Sequence, residues 1–215
     1  MPQSRQLAAI MFTDIVSYTA MMQEDEQSAI KLVKHHRVVM EKTVAGYEGN
    51  VIEYFGDGSL CIFTSITEAI SCALSIQQQL QAEPVVPLRI GLHIGEVIYE
   101  DGKIMGDGVN IASRIQSLGL AGSILFTKEI FDKIRNHPEF KTVHLGRFLL
   151  KNVADPMEVF ALANEGLTVP AKEKIEGKIN DTVSKSKFRM PLKWVLVLTA
   201  VFLLILVAVF WLGFF

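Results

Sequence analysis

The chain of 215 residues is long enough for one ordinary globular domain plus an accessory segment. Its 21 basic and 23 acidic side chains leave a net charge of −2, which excludes the basic excess that tracks a phosphate backbone, so no nucleic acid partner is expected. Two cysteines, Cys61 and Cys72, each lie in an apolar stretch and read as buried free thiols in a reducing compartment.

The first apolar run, residues 7–12, is too brief for a signal-peptide core. Residues 7–13, closed by Asp14, read as a buried strand. Positions 29, 32, 33, 36, 39, 40, 43 and 44 trace one helical face, with Asp25 and Glu26 near its positive end and Gly46 after it. Residues 50–55 and 59–64 flank Gly56-Asp57-Gly58, a hairpin signal. Ser65 to Glu68 form a capping box that opens a second helix, with Ala69, Cys72, Ala73, Ile76 and Leu80 on one face and Pro84 and Pro87 beyond it. Residues 88–93 and 96–99 read as two strands and 107–118 as a helix. Thr127 is expected to cap a short helix reaching about Arg135, and strand-like pieces follow near Thr142 and Val159. The order predicts an α+β fold with a βαββαβ, ferredoxin-like core.

From residue 164 to 191 the composition turns polar and basic without apolar periodicity, which reads as a linker. Residues 195–215 carry no charge, and 21 residues at 1.5 Å each span about 32 Å, enough for a bilayer. Residues 192–215 are therefore expected to form one transmembrane helix in contact with membrane lipid, with Trp194 and Trp211 at the interfaces. Lys185, Lys187, Arg189 and Lys193 precede the uncharged stretch 195–215, so the positive-inside rule puts residues 1–163 on the cytoplasmic side of a cell (inner) membrane, in a single-pass protein.

Two sets of residues carry chemistry. Asp14 ends the first strand and Asp57 sits in the hairpin turn, so antiparallel packing would bring their carboxylates to one sheet edge. Adjacent carboxylates repel unless cations lie between them, and hard oxygen ligands suit Mg²⁺ or Mn²⁺. On spacing alone each is equally an ordinary turn aspartate. Asn110 and Arg114, four apart, project from one helical face, where a guanidinium clamps phosphate or joins a surface salt bridge. There is no Walker A sequence and no Ser/His/Asp set, and the five histidines lack ligand spacing.

Taken together, residues 12–19 (Phe-Thr-Asp-Ile-Val-Ser-Tyr-Thr), 55–58 (Phe-Gly-Asp-Gly), 106–114 (Gly-Asp-Gly-Val-Asn-Ile-Ala-Ser-Arg) and Leu150-Lys151-Asn152 resemble the ordered motifs of class III adenylate and guanylate cyclases. The resemblance implies an enzyme of cyclic-nucleotide signalling, converting ATP or GTP to the 3′,5′-cyclic monophosphate and pyrophosphate with two Mg²⁺ or Mn²⁺ ions per active site. It further implies a homodimer with active sites at its interface. Asp14, Asp57 and the carbonyl of Ile15 match the metal ligands, Asn110 the ribose-orienting residue, Arg114 the transition-state residue and Lys151 a triphosphate lysine. Backbone amides of Ile15, Val16, Ser17, Tyr18 and Thr19 match the phosphate turn, with Ser17 and Tyr18 in place of the usual Gly-Phe. The base positions hold Glu53 and Lys103, with charges exchanged relative to many ATP-using members. Adenylate cyclase is the reading adopted. A guanylate cyclase, in which Glu53 accepts from guanine, and a non-catalytic dimerisation or sensor module on the same fold are the alternatives.

Overall fold

The computed structural model describes residues 4–100 and 103–176. In chain order the elements are β1 (Ser4–Ile15), α1 (Tyr18–Glu24), α2 (Glu26–Gly46), β2 (Asn50–Phe55), β3 (Gly58–Phe63), α3 (Ile66–Leu80), β4 (Leu88–Glu100), β5 (Lys103–Met105), α4 (Asp107–Leu118), β6 (Ile124–Thr127), α5 (Lys128–Ile134), β7 (Thr142–Phe148) and β8 (Met157–Leu162). The sheet runs β2-β3-β1-β4-β6-β8-β7, with β5 paired to β4. Its first four strands, with α2 and α3 between them, form the βαββαβ core expected from the sequence.

Alternation along β1 explains why both faces of the sheet are covered. Ala9 and Met11 join a core with Val33, Met40 and Val44 of α2, Ala69, Cys72 and Ile76 of α3, and Ile130 of α5. Ala8 and Ile10 point the other way, to Ala112 of α4 and Leu60 and Ile62 of β3. Both cysteines are free and buried, as expected, and burial pushes the Cys61 thiol up to about 12.

Three local expectations differ from the structure. Residues 88–100 form one strand, not two, because β1 offers an unbroken antiparallel partner from Ser4↔Tyr99 to Ile15↔Leu88. Long-range pairing overrides the breaking tendency of Gly95. Ser65 caps α3 by accepting from the Glu68 amide at 3.3 Å, yet Thr127, though at the N-cap of α5, makes no capping bond. Its hydroxyl is bonded to His93 Nδ1 at 2.9 Å instead. Finally, residues 164–176 pack on the domain: the Thr168 amide donates to Gly122 O, Gln81 Nε2 donates to Gly166 O, and Ile175 is fully buried with Leu145 and Phe148. Leu167, Val169 and Ile175, scattered in a polar stretch, are too few to set a helical face.

Among the described residues no helix is long and apolar enough to cross a membrane; the expected span, 192–215, lies outside them. The outer strands β2 and β7 both contain register shifts, between Val51 and Glu53 and between His144 and Gly146.

The seat of α4 depends on Gly91 of β4, where an added Cβ would stand 2.1 Å from Gln116 N. Backbone cannot yield to a methyl group as a flexible side chain can. Gly91→Ala is expected to destabilise the fold by about 1–3 kcal/mol, read as a lowered urea midpoint at unchanged m.

Candidate active site

The ladder around β1 gathers three charged groups at one end of the sheet. Asp14 is opposite Arg89 in the β1–β4 register, and the hairpin carrying Asp57 follows the Thr13↔Ser59 pair of β1 and β3. The hairpin is a two-residue turn, Phe55 pairing with Gly58, and Gly56 takes φ 61° at its first central position, a conformation that costs glycine little. Arg89 Nε and Nη2 donate to Asp14 Oδ2 at 2.9 and 2.5 Å, while its Nη1 donates to Ser117 O at 3.2 Å. The Ile15 amide donates to Asp57 Oδ2 at 3.1 Å. Burial raises the Asp57 carboxyl above its ordinary value, and the negative charge of Asp14 beside it raises it further. The two aspartates expected to meet therefore do meet. Arg89, which the sequence reading passed over, is visible only once the β1–β4 register is known.

Behind this cluster, Thr13 Oγ1 is hydrogen-bonded to Ser59 Oγ at 2.7 Å and to His36 Nε2 at 3.3 Å. Burial, and then the neighbouring Arg37, lowers His36 to about 4, so it is neutral near pH 7. Arg37 itself is exposed and donates from Nη2 to Gly56 O at 3.0 Å, with its guanidinium 4.9 Å from the centre of the Tyr54 ring.

The turn from β1 to α1 is more occupied than expected. Of its amides, that of Ile15 serves Asp57 and that of Val16 donates to Pro87 O at 2.9 Å. Ser17, Tyr18 and Thr19 remain as the helix entrance, whose first-turn amides lack intrahelical acceptors. Ser17 adopts φ 62° with its side chain exposed, the left-handed region where a Cβ is costly.

The remaining residues are distributed about α4. A cleft of about 360 Å³ is lined by Phe12, Asp14, Phe55, Asn110 and Ser113, among others. A separate cleft of about 460 Å³ is lined by Asn110, Arg114, Lys151 and Asn152. Lys151 is exposed in a turn closed by the Val153 amide on Leu150 O, in which Asn152 takes φ 62°, as asparagine tolerates. Thus Asn110 borders both clefts, whereas Asp14 borders one and Arg114 and Lys151 the other. Glu53 is exposed on outer strand β2, just past its register shift. Lys103 opens β5, and its side chain lies outside the described residues. Among the described residues no group of three or more His, Cys, Asp or Glu could hold a metal ion.

A mixed sheet with a ferredoxin-like core, a carboxylate pair at one end and an Asn/Arg helix across it defines a nucleotidyl cyclase fold. The model of the adenylate and guanylate cyclase catalytic domain matches residues 1–164, and the chain belongs to that family. It is 32% identical over 164 residues to "Putative adenylate cyclase 3" of Rhizobium meliloti, covering 73% of this chain and 28% of that protein. The chain thus spans little more than a quarter of the length of that relative. Among solved structures, the adenylate/guanylate cyclase/hydrolase of Silicibacter pomeroyi superposes with a TM-score of 0.71 at 28% identity, covering 76% of this chain and all of that one. The adenylyl cyclase CyaB of P. aeruginosa superposes at 0.68 with 21% identity, covering 77% and 97%.

The buried His36 generates a pH dependence of stability. Its folded pKa lies below the unfolded value, so the unfolded chain takes up the proton first, and stability present above about pH 6.5 is lost as pH falls toward 4. The loss amounts to about 3 kcal/mol at pH 4. His36→Gln should show a smaller loss between pH 7 and 4.5, by about 2–3 kcal/mol in urea unfolding; parallel pH profiles would mean that His36 protonates freely in the fold.

Proposed function

We propose that the chain converts ATP to 3′,5′-cyclic AMP and pyrophosphate as a homodimer with two active sites shared across its interface. The observation that carries this reading is the separation on one chain of Asp14, which lines one cleft beside α4 with Asp57 next to it, from Arg114 and Lys151, which line another. A head-to-tail second copy is what sets Asp14 and Asp57 of one protomer against Asn110, Arg114 and Lys151 of its partner.

The donor set fits hard divalent cations, Mg²⁺ or Mn²⁺. Two carboxylates lie side by side, and Asp57 is raised first by burial and then by the charge of Asp14, a repulsion that cations relieve. Asp14 and Asp57 would hold two such ions, with the Ile15 carbonyl contributing to one. Once bound, they would supply activation of the ribose 3′-hydroxyl and charge neutralisation at the triphosphate. The protein's own groups do the rest. Arg89 fixes the orientation of Asp14, the Ser17–Thr19 entrance and Lys151 hold triphosphate oxygens, Asn110 orients the ribose, and Arg114 neutralises charge that develops at the α-phosphorus.

For the base, the relatives named adenylate cyclases support ATP. The exposed Glu53 carboxylate supports the guanylate alternative, since it can accept from guanine N1 and its amino group. Residues 192–215 serve in this reading as a membrane anchor that leaves the domain cytoplasmic.

Purified protein given Mn²⁺ with ATP or GTP should release cyclic AMP, identified by mass; absence of any cyclic product would favour the sensor-module alternative. Glu53→Lys with Lys103→Asp should raise the ATP/GTP preference ratio, each good pair to a base edge discriminating by roughly 1–3 kcal/mol.

Asp57→Ala and Arg114→Ala should each lose about 100-fold or more in turnover. Co-expressed, they should recover about a quarter of wild-type activity, because half of the dimers are mixed and one of two sites in each is intact. Mixed dimers as inactive as either parent would exclude the shared site. Full-length protein should resist carbonate extraction from membranes, and its release would point to a peripheral helix.

A further inference from the structure

We propose that helix α2 sets the separation of the two metal-binding carboxylates through the adjacent side chains His36 and Arg37, which makes Arg37 a positioning residue of the reaction. The inference rests on the reading of Asp14 and Asp57 as a metal pair. The two carboxylates belong to different elements, the end of β1 and the β2–β3 turn, and the β1–β3 pairing stops at Thr13↔Ser59, short of both. Their mutual repulsion pushes the turn away from β1. The Ile15 amide on Asp57 Oδ2 opposes it from β1, and α2 adds a second hold.

Consecutive residues of α2 grip the residue that precedes each carboxylate. His36 Nε2 meets the hydroxyl of Thr13, which is also bonded to Ser59, so the last β1–β3 pair is tied to the helix. Arg37 Nη2 donates to the carbonyl of Gly56, and its guanidinium lies over the Tyr54 ring. The Tyr54 hydroxyl is buried without a hydrogen-bond partner among the described residues, so packing and the guanidinium hold that ring. A planar fork that both donates and stacks has a defined orientation, which a flexible ammonium lacks. The helix is itself fixed by Val33, Val39, Met40 and Val44 in the core. A displacement of α2 is therefore transmitted to both carboxylates at once.

The test is Mn²⁺ binding by the full-length chain in detergent without nucleotide, followed by the electron paramagnetic resonance of free Mn²⁺. Arg37→Ala should weaken binding about tenfold, as loss of a group supporting metal ligands typically does, with the thermal midpoint within about 2 °C of wild type because the side chain is exposed. Arg37→Lys should recover part of the affinity, and in turnover assays the half-saturating Mn²⁺ concentration should rise by the same factor. Wild-type affinity in Arg37→Ala, beside clear weakening in Asp57→Ala, overturns the positioning role alone. Wild-type affinity in Asp57→Ala overturns the metal reading and the clamp with it. A lowered midpoint in Arg37→Ala that accounts for the lost affinity, with no recovery by lysine, reduces Arg37 to a structural role and overturns the proposal.

Discussion

Two carboxylates held side by side at the end of a sheet are an unfavourable arrangement, and much of the surrounding structure answers to it. The antiparallel pairing of β1 with both β3 and β4 creates the problem, since it delivers Asp14 and the Asp57 turn to the same end. The same pairing supplies part of the solution, because Arg89 arrives opposite Asp14 with two N–H groups on one oxygen. Asp57 receives backbone amides, its own and that of Ile15, in place of a guanidinium, and burial and the charge of Asp14 raise its proton affinity. The unequal treatment leaves two adjacent carboxylates only partly compensated, which is what the proposed cations would relieve.

Helix α4 divides the candidate site residues between two clefts. Its close seat on β4, permitted by Gly91, fixes where Asn110 and Arg114 emerge, and Asn110 stands where the two clefts meet. In the proposed dimer a second copy supplies the other half, and a requirement for pairing is then a natural point of control for turnover.

Local signals were enough for most of the elements, though not for the single long β4 or the short β5 and β6, and for the residues that carry the family resemblance. The Gly56-Asp57-Gly58 turn, the Ser65 cap and the face of α3 are all written in short stretches of sequence and all appear where expected. What was not legible depends on register and packing. Arg89 looks like any strand-opening residue until β4 is laid against β1, and His36 and Arg37 look like ordinary members of a helix until the hairpin is placed beneath them. Thr127 has the right identity for a cap, but a buried histidine competes for its hydroxyl. Ile175 is buried by surfaces that come from β7 and α4, distant in sequence.

The register shifts in β2 and β7 bear on how copies of this chain can meet. An outermost strand presents unpaired backbone groups that invite another strand, and a bulge twists that edge and breaks its regular spacing. Both outer strands carry a register shift that breaks this spacing, and β2 presents the charge of Glu53 beside it. Extension of the sheet from one molecule into the next is thereby disfavoured at either margin. The proposed dimer is left to the faces, where the clefts lie, and a fold rich in strands is spared the open-ended growth that flat edges would permit.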